Sequence, residues 1–414
     1  MSDFDLAIIG AGVVGTSTAL WAAMRGHRVV LIDPATPGSG TSSGNACTIA
    51  TYGCLPVNDP SVLTGLPGLL LGGDSPLSVN WAYAMRHPGW MLRFLSNCRA
   101  VKSERIARRL AGLLSHADAG LNPLIEEAGA SDLMVERGQL SVWSTDTAAR
   151  AAEAGLQRRR QLGVSWVEVS PEAVPEIEPG LALPIARAVH FPDARHVQDP
   201  EALVQRFYAR FLALGGDSVA QTAAKVEDRE GGAIVHLLTG DSISAARVVV
   251  AGGAFSARIT GGGATDLPLG VERGYHVLYA GEGHRVTRPV GWGEGGFYAV
   301  PMAKGLRLAG TVEIASLDAP PNRKRLAYLQ RRGQEMFGDL PAPSGTWLGH
   351  RPTMPDSLPM IGFAHGSSRI LHAFGHQHLG LTLGGITGRI ITDLAEGRQP
   401  NMDIKGFDPA RAFA

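Results

Sequence analysis

Three glycines and one acid near the start of the chain have the types and spacing needed to hold a dinucleotide. Gly10, Gly12 and Gly15 lie in the stretch GAGVVG, and Asp33 follows the next apolar run. In such a turn the first glycine permits a tight bend, the second lets the backbone approach a pyrophosphate, and the third lets a helix pack closely on a strand. The acid would accept a hydrogen bond from a ribose hydroxyl. This chemistry predicts a dinucleotide site and does not choose between FAD and NAD.

The residues around these glycines predict the elements that must position them. Residues 6–9 form an apolar run typical of a buried parallel strand, residues 16–25 predict a buried helix, and residues 28–32 predict a second strand that ends at Asp33. All of this fits within about 30 residues, the length of a dinucleotide-binding unit. The alternative is a glycine-rich turn in an ordinary βαβ unit, because the chain contains 53 glycines.

A second glycine turn follows a buried strand in the middle of the chain. Residues 247–251 read RVVVA and run directly into Gly252 and Gly253. The tail then predicts a strand over 370–374 and a helix over 381–396. A single nicotinamide domain would not need this repetition, whereas a flavoprotein with an interrupted cofactor domain would. Residues 270–312 alternate strand-forming types and predict an antiparallel sheet of a different kind.

The rest of the chain predicts mainly helices. Residues 34–45, rich in glycine and hydroxyl groups, predict a loop that lies over phosphates or a ring. Helices are predicted over 77–85, 90–95, 105–124 and 323–337 from their apolar spacing.

Composition and charge bound the class of protein. The chain has 414 residues, of which 44% are hydrophobic and 18% charged, so it has room for two domains of a soluble enzyme. Lys+Arg and Asp+Glu both number 38, so we expect no nucleic-acid partner. The 3 cysteines form no CxxC pair, which suits a reducing cytoplasm without export. Residues 62–73 are lipid-like but shorter than the roughly 20 apolar residues of a spanning helix, so we expect a surface-docking segment at most.

The histidines near the C-terminus suggest a metal site at first sight. His372, His376 and His378 are close in sequence, but they lie across a glycine turn and have no neighbouring cysteine or carboxylate to complete a coordination shell. We therefore predict no metal.

Five motifs, in order along nearly the whole chain, resemble those of the D-amino acid oxidase superfamily of FAD flavoproteins. They are the opening fingerprint, RVVVAGGAFS, GFYAVPMAKGLRLAGTVE, GHRPTMPDSLPMIG and HAFGHQHLGLTLGGITGRIITDL. Within that superfamily the chain is most similar to the bacterial D-amino acid dehydrogenase and glycine oxidase branch. Residues 51–135 match loosely, and the place of Tyr275 is open, so the identity of the substrate is open as well.

The resemblance implies an α/β fold with a Rossmann-type FAD-binding domain assembled from separated segments, 1–50, 190–265 and 349–400. The substrate domain would comprise 51–189 and 266–348, with a mixed or antiparallel sheet and helices. FAD would be bound without a covalent link, because relatives that attach it use a cysteine in the C-terminal half, and this chain has no cysteine after Cys98.

The resemblance also implies which residues contact the cofactor. The first turn of the helix over 381–396 would face the flavin edge where negative charge collects on reduction, and its N–H groups would stabilise that charge. The predicted cofactor-binding residues are Gly10, Gly12, Val13, Val14, Gly15, Asp33, Ser42, Ser43, Asn45, Val226, Gly252, Gly253, Gly375, His378, Gly380, Leu381 and Thr382.

Four residues are implied in catalysis. Tyr298 in GFYAVP and Arg351 in GHRP stand where relatives bind the substrate carboxylate, and the two types suit this task, because a guanidinium binds a carboxylate bidentately and a phenol adds a directional donor. His350 stands where relatives more often have leucine. His376 would add a donor near the flavin, and the alternative for it is a structural histidine.

These observations predict an FAD-dependent dehydrogenase that oxidises a D-amino acid, or a cyclic imino acid such as a D-proline derivative, by hydride transfer from the α-carbon to flavin N5. Electrons would pass to a quinone or another electron-transfer acceptor, with possible peripheral contact to the inner membrane. One alternative is a glycine or sarcosine-type oxidase that uses O2, and scarce lysine argues against it, because a lysine near the flavin promotes oxygen reduction in the sarcosine oxidase branch. A second alternative is an electron-relay subunit of a hetero-oligomeric dehydrogenase. The oligomeric state is open.

Overall fold

The structure is a computed structural model that describes residues 3–63 and 75–413. Residues 62–73, which the sequence marks as the most lipid-like stretch, lie almost entirely outside the described residues. No helix in the described part of the chain is long and apolar enough to cross a membrane.

The described residues form helices and strands in runs, with successive helices over 81–127 and successive strands over 217–250. The α-helices are α1 Val13–Met24, α2 Trp81–Arg86, α3 Pro88–Asn97, α4 Ala100–Leu114, α5 Ala117–Glu127, α6 Asp146–Gln161, α7 Val174–Ile177, α8 Pro200–Ala213, α9 Arg323–Phe337 and α10 Gly380–Ala395. The strands are β1 Phe4–Ile9, β2 Val29–Ile32, β3 Thr48–Ile49, β4 Leu77–Val79, β5 Met134–Val135, β6 Gln139–Trp143, β7 Val167–Val169, β8 Arg187–Phe191, β9 Arg195–Val197, β10 Asp217–Val219, β11 Ala223–Arg229, β12 Gly232–Leu237, β13 Ser242–Val250, β14 Gly270–Ala280, β15 Val290–Trp292, β16 Phe297–Met302, β17 Gly305–Ile314, β18 Gly345–Thr353, β19 Met360–Phe363 and β20 Ile370–Phe374. Short 3₁₀ helices span Ser131–Leu133, Pro171–Ala173, Gly253–Arg258, Glu282–Arg285 and Lys405–Phe407.

The first sheet is built around the two strands that the sequence marks as buried. β1 pairs in parallel with β2 on one side and with β13 on the other, and β13 continues in parallel to β20. β10 extends the sheet in parallel beyond β2, while β11, β12 and β19 join antiparallel. The carboxyl ends of β1, β13 and β20 therefore meet at one edge, which is where open α/β sheets bind ligands.

The helices that cover this sheet pack against each other through α10. α10 lies against α1 and α5, and the approach to α1 is close enough that a Cβ on Gly388 would lie 2.8 Å from the Ser17 backbone. The shared core contains Leu20 and Ile390, whose exposed fractions are 0% and 1%. A polar or larger residue on this face of α10 would move the N-terminus of the helix away from the ligand edge.

In the second sheet the strands of residues 270–314 pair antiparallel, as the sequence predicts for 270–312, and β6 and β4 join in parallel, so the whole sheet is mixed. Its strands run in the order β18-β14-β17-β16-β15-β6-β8-β7, with β4 added on β17. One face of this sheet packs a hydrophobic core under α9, which includes Tyr275, Leu308 and Leu329. The other face carries the candidate site. A small third sheet joins β3, β9 and β5.

The fold class is confirmed, and three local predictions need correction. Residues 77–85 form β4 followed by α2, because Leu77 pairs in parallel with Val312 of β17. Residues 105–124 belong to two helices, since Ser115 and His116 turn the chain and bond the Gly112 carbonyl. The strands β10 and β11 have no strong sequence signal and were not predicted.

Strand membership also bears on the domain boundaries. The first sheet takes its strands from three separated stretches, but β18 belongs to the mixed sheet, so the return to the first sheet begins after Thr353 and not at residue 349. The division into two domains stays a prediction.

Candidate active site

The glycine turn after β1 leaves no room for side chains. Gly10 has a φ of +110°, and a Cβ there would lie 2.5 Å from the Ala251 carbonyl oxygen and 2.9 Å from the Gly252 nitrogen. A Cβ on Gly15 would lie 1.8 Å from the Gly10 carbonyl oxygen. The two predicted glycine turns therefore meet backbone to backbone at the ligand edge. Gly253, with a φ of +57°, continues the second turn.

Asp33 and Ser42 hold the start of α1 in place. Asp33 accepts hydrogen bonds from the backbone nitrogens of Ala11 at 2.7 Å and Ala35 at 2.8 Å. The hydroxyl of Ser42 accepts from the Val13 nitrogen at 2.9 Å. Asp33 thus braces the glycine turn itself, and each of its oxygens keeps a second lone pair for a ligand. Val14 is half-buried at the first turn of α1.

The side chains of Ser43 and Asn45 fold their own loop. The Ser43 hydroxyl donates to the Gly40 carbonyl at 2.9 Å, while the Asn45 side chain donates to the Ser42 carbonyl and accepts from the Cys47 nitrogen. Both side chains therefore shape the loop, and their predicted contact with the cofactor stays a prediction.

Arg307 anchors this loop to the mixed sheet and was missed by the sequence analysis. Its Nη1 donates to the carbonyls of Ser43 at 3.0 Å and Asn45 at 2.9 Å, although the residue is only 8% exposed. The available signal was a charged residue inside the apolar strand sequence LRLAGTV, which requires a buried partner.

Val226 lies on β11 beside the segment that follows the second glycine turn. Its nitrogen donates to the Thr260 carbonyl at 2.8 Å, its side chain is fully buried, and a Cβ on Gly262 would lie 3.7 Å from its Cβ and 3.5 Å from Val250 Cγ2. Its predicted contact with the cofactor stays a prediction.

The C-terminal segment brings a second helix start to the same edge. Gly375 turns with a φ of +85°, and α10 begins at Gly380 without a side-chain cap. Leu381 is buried, and the Thr382 hydroxyl accepts from the Ala50 nitrogen at 2.9 Å. The first N–H groups of a helix have no partners within the helix, so this uncapped end offers donors to an anion.

These residues fit FAD. Two side-chain-free turns, an acid beside the first turn, and the uncapped start of α10 lie at one edge of the sheet, which matches a diphosphate and a ring that gains negative charge. Cys47, Cys54 and Cys98 are all buried, and burial raises the pKa of the Cys47 thiol to about 11. Non-covalent attachment stays a prediction. Among residues 3–63 and 75–413 no three His, Cys, Asp or Glu side chains converge as metal ligands.

Arg351 lies flat on the mixed sheet. It pairs with Glu272 across β18 and β14, and a Cβ on Gly274 would lie 2.6 Å from its Nη2 and 2.7 Å from its Cζ. Within the described residues the half-buried guanidinium has no hydrogen bond or ion pair. Burial lowers its pKa, and the nearby Glu272 raises it. An unpaired, partly buried guanidinium is suited to receive an anionic ligand.

Glu272 and two residues from the turn before α10 surround this arginine. Gln377 donates to the Glu272 carboxyl at 3.2 Å, and burial raises the pKa of Glu272 although Arg351 opposes the shift. Burial of the ring, and to a lesser extent the charge of Arg351, lowers the pKa of His378 to about 4. A neutral imidazole therefore stands beside Arg351. Glu272 and Gln377 were not predicted.

Tyr298 shares a face of the sheet with Arg351. Tyr298 pairs with Ala309, Ala309 with His276, and His276 with Trp347, and residues paired across neighbouring strands share a face of the sheet. Side chains two residues apart on one strand also point to the same face. Trp347 and Arg351 are four residues apart on β18, so all of these side chains lie on one face. The structure thus places the two predicted carboxylate-binding residues on the same face of the sheet, which is the face that carries the loop held by Arg307.

His350 and His376 are not on this face, which corrects their predicted catalytic placement. His350 pairs with Arg273 and lies next to Phe255, because adjacent residues on a strand point to opposite faces. His376 is 3% exposed, and its Nε2 is 2.9 Å from the Thr387 hydroxyl of α10. The position of His376 fits a structural histidine, the alternative that the sequence left open.

Tyr275 also lies on the opposite face. Its hydroxyl donates to Glu313 at 2.5 Å and accepts from the Asn322 nitrogen at 3.0 Å, and burial raises its pKa to about 12. Tyr275 therefore fixes the chain before α9 and does not contact a substrate on the Arg351 face.

Comparison with known proteins gives a consistent result. Residues 5–394 match the family model described as "FAD dependent oxidoreductase". The chain is 35% identical to a D-amino-acid oxidase of Bradyrhizobium diazoefficiens, with 98% of each chain covered, and 31% identical to a D-amino acid dehydrogenase of Pseudomonas aeruginosa, again with 98% of each covered. Its fold is similar to that of glycine oxidase from Geobacillus kaustophilus, with a TM-score of 0.75, 23% identity and 99% of each chain covered. The chain belongs to the FAD-dependent oxidoreductase family.

Proposed function

We propose that this FAD-dependent oxidoreductase oxidises the α-carbon of a D-amino acid, or of a cyclic imino acid, and passes the electrons to a quinone-type acceptor. The substrate loses a hydride from the α-carbon and a proton from its nitrogen, which leaves an imine. Water converts an acyclic imine to a 2-oxo acid and ammonia. Relatives named D-amino-acid oxidase and D-amino acid dehydrogenase support the choice of substrate class.

The observation that carries this proposal is the unpaired guanidinium of Arg351. It is half-buried, it lies flat over Gly274, and it shares a face with the Tyr298 phenol. A planar fork and a phenol together can fix one carboxylate in a single orientation. An electron-relay subunit would have no use for this arrangement.

FAD, when bound, supplies the two-electron acceptor that takes the hydride at N5. The protein's own residues supply orientation. Arg351 and Tyr298 hold the carboxylate, so that the α-carbon is presented in one pose, and the neutral His378 beside them adds no positive charge that would compete for the substrate. Glu272 lies beside Arg351 on the neighbouring strand and is held by Gln377.

The choice of acceptor rests on the position of Lys304. Relatives include both an oxidase and dehydrogenases by name. Lys304, the lysine nearest to a family motif, is 68% exposed on the side chain and lies 3.3 Å from Asp199, so it is paired at the surface in the turn between β16 and β17. We therefore favour an acceptor other than O2.

The test is turnover by the purified chain alone. D- and L-enantiomers, D-proline derivatives, glycine and sarcosine would be compared by reduction of a dye under argon. We expect D-amino acids or cyclic imino acids to be oxidised at least tenfold faster than L-enantiomers or glycine. Preference for glycine or sarcosine would instead indicate a glycine or sarcosine-type enzyme. A yellow protein that oxidises none of these substrates would favour an electron-relay subunit.

A further inference from the structure

A cavity of about 720 Å³ lies between α6, the chain after β3, and the sheet face that carries Tyr298. Small-molecule sites commonly have roughly 300–1,000 Å³. The walls near Tyr298 are aromatic, because the rings of Tyr52 and Phe191 stack at 4.6 Å and Trp143 lines the same space. The cavity therefore reaches Tyr298 of the candidate active site and has room for a substrate side chain.

Arg159 brings into this cavity a positive charge without a counterion. Its Nε donates to the Tyr52 carbonyl at 3.2 Å and its Nη1 to the Gly155 carbonyl at 3.4 Å, so two carbonyls orient the guanidinium. In the described part of the chain no carboxylate lies within ion-pair distance of it. The neighbouring Arg158 also lines the cavity, but it is paired with Glu104 at 2.9 Å and with Asp59 at 3.8 Å.

Tyr52 connects this cation with Tyr298. The carbonyl of Tyr52 accepts from Arg159, and the side chains of Tyr52 and Tyr298 line the same cavity. Arg159 and Tyr298 therefore face the same cavity, so one ligand in it can meet both side chains.

We propose that this cavity is the side-chain site of the substrate and that Arg159 binds an anionic group in it, so that the enzyme prefers D-amino acids with a second carboxylate, such as D-glutamate. This inference rests on the proposed function, because it takes the Tyr298 end as the place of the α-carboxylate. The aromatic walls would cover the methylene groups, and the guanidinium fork would bind the distal carboxylate. Arg159 determines specificity and touches no reacting atom.

The test compares D-glutamate with D-glutamine, which have nearly the same shape and differ in charge. With the holoenzyme and a dye acceptor, we expect kcat/KM for D-glutamate to be at least tenfold higher. Arg159→Gln should reduce this ratio to about one, mainly through the KM for D-glutamate, and leave D-glutamine within about twofold. Arg160→Gln is the matched control, because Arg160 is the next residue on α6 and stacks on Trp166 at 3.8 Å outside the cavity.

A ligand-binding measurement keeps the inference separate from the proposed function. Binding of glutarate and of its monoamide would be followed by the flavin spectrum and by the rise in Tm, with flavin content reporting on folding. Tighter binding of glutarate that is lost in Arg159→Gln supports the anionic site even if no D-amino acid is oxidised, in which case the proposed function alone fails. Equal binding of the two ligands, or a glutamate preference that persists in Arg159→Gln, overturns the inference.

Discussion

Arg351 is the residue on which the proposed chemistry depends most. Losing a buried charge-assisted pair costs about 2–5 kcal/mol, so Arg351→Ala should lower kcat/KM for a carboxylate substrate by at least about thirtyfold. Flavin content should not change, because the residue lies on the mixed sheet and not at the glycine turns. Arg351→Lys should also have a low kcat/KM, since the point charge of an ammonium group does not reproduce the bidentate guanidinium. A near-normal kcat/KM in Arg351→Ala would remove this residue from the site.

Gly274 should matter for substrate binding, because the guanidinium of Arg351 lies on it. A Cβ at this position would be 2.6 Å from Arg351 Nη2, so Gly274→Ala should displace the guanidinium and raise KM by about tenfold or more while FAD stays bound. Gly112→Ala on α4 is the matched control, because no atom lies within 4 Å of a Cβ there. Steady-state kinetics of both variants check this. Equal KM values in the two would show that Arg351 can move without loss.

At the scale of elements, His376 in the turn before α10 contacts Thr387 of α10. Burial of this histidine should make the free energy of unfolding depend on pH. Burial lowers the pKa of His376 to about 3, against an ordinary value of 6.5. Between these values the unfolded chain binds more protons than the folded one, so the free energy of unfolding falls as pH falls from 6.5 toward 3. Each such histidine contributes a slope of up to roughly 1.4 kcal/mol per pH unit.

Urea unfolding of the holoprotein at several pH values measures this slope. His376→Asn keeps a polar side chain near Thr387 and has no proton to take up, so its slope should be smaller by about one proton. His276, with a pKa lowered to about 4 by burial, contributes in the same direction and remains in the variant. An unchanged slope in His376→Asn would show that His376 is protonated in the folded protein.

At the scale of the whole molecule, helices α2 and α3 form a surface suited to a lipid bilayer. They expose Trp81, Met85 and Leu92 at 44%, 73% and 68%, and residues 75–103 contain arginine and lysine but no acid. Aromatic, apolar and basic groups together are typical of peripheral binding to anionic lipid. We predict sedimentation with vesicles that contain anionic lipid and little with neutral ones.

The double variant Met85→Glu and Leu92→Glu checks this surface. It should lose most of the vesicle binding and keep dye-linked activity, because both side chains are mostly exposed to solvent. Binding that is equal for the variant and the wild type, or equal for neutral and anionic vesicles, would exclude this surface as the membrane contact.

The acceptor is a property of the whole molecule as well. We expect the reduced flavin to be reoxidised by a soluble quinone at least tenfold faster than by air-saturated buffer, because Lys304 is paired with Asp199 at the surface and so is not poised to stabilise superoxide. Stopped-flow mixing after anaerobic reduction by substrate measures both rates. Reoxidation by oxygen as fast as turnover would make the protein an oxidase, in line with the name of its relative in Bradyrhizobium diazoefficiens.

The sequence by itself determined the features that depend on local chemistry. Gly10, Gly12, Gly15 and Asp33 were identified because a tight turn, a close backbone approach and an acid at a strand end have residue requirements that are visible in one dimension. The helix over 323–337 was predicted with its observed bounds, since its apolar spacing is helical along its whole length. The motifs that resemble known flavoproteins supplied Arg351 and Tyr298.

Only the tertiary structure decided which side chains share a face and what each one touches. It separated Arg351 from His350, which are adjacent in sequence but point to opposite sides of β18, and it buried His376 against Thr387. It also joined residues far apart along the chain, such as Arg307 with the loop at Ser43, and Arg159 with Tyr52. The physical reason is that hydrogen bonds, burial and strand register depend on distances between segments, and these are set by packing of the whole chain and not by local spacing.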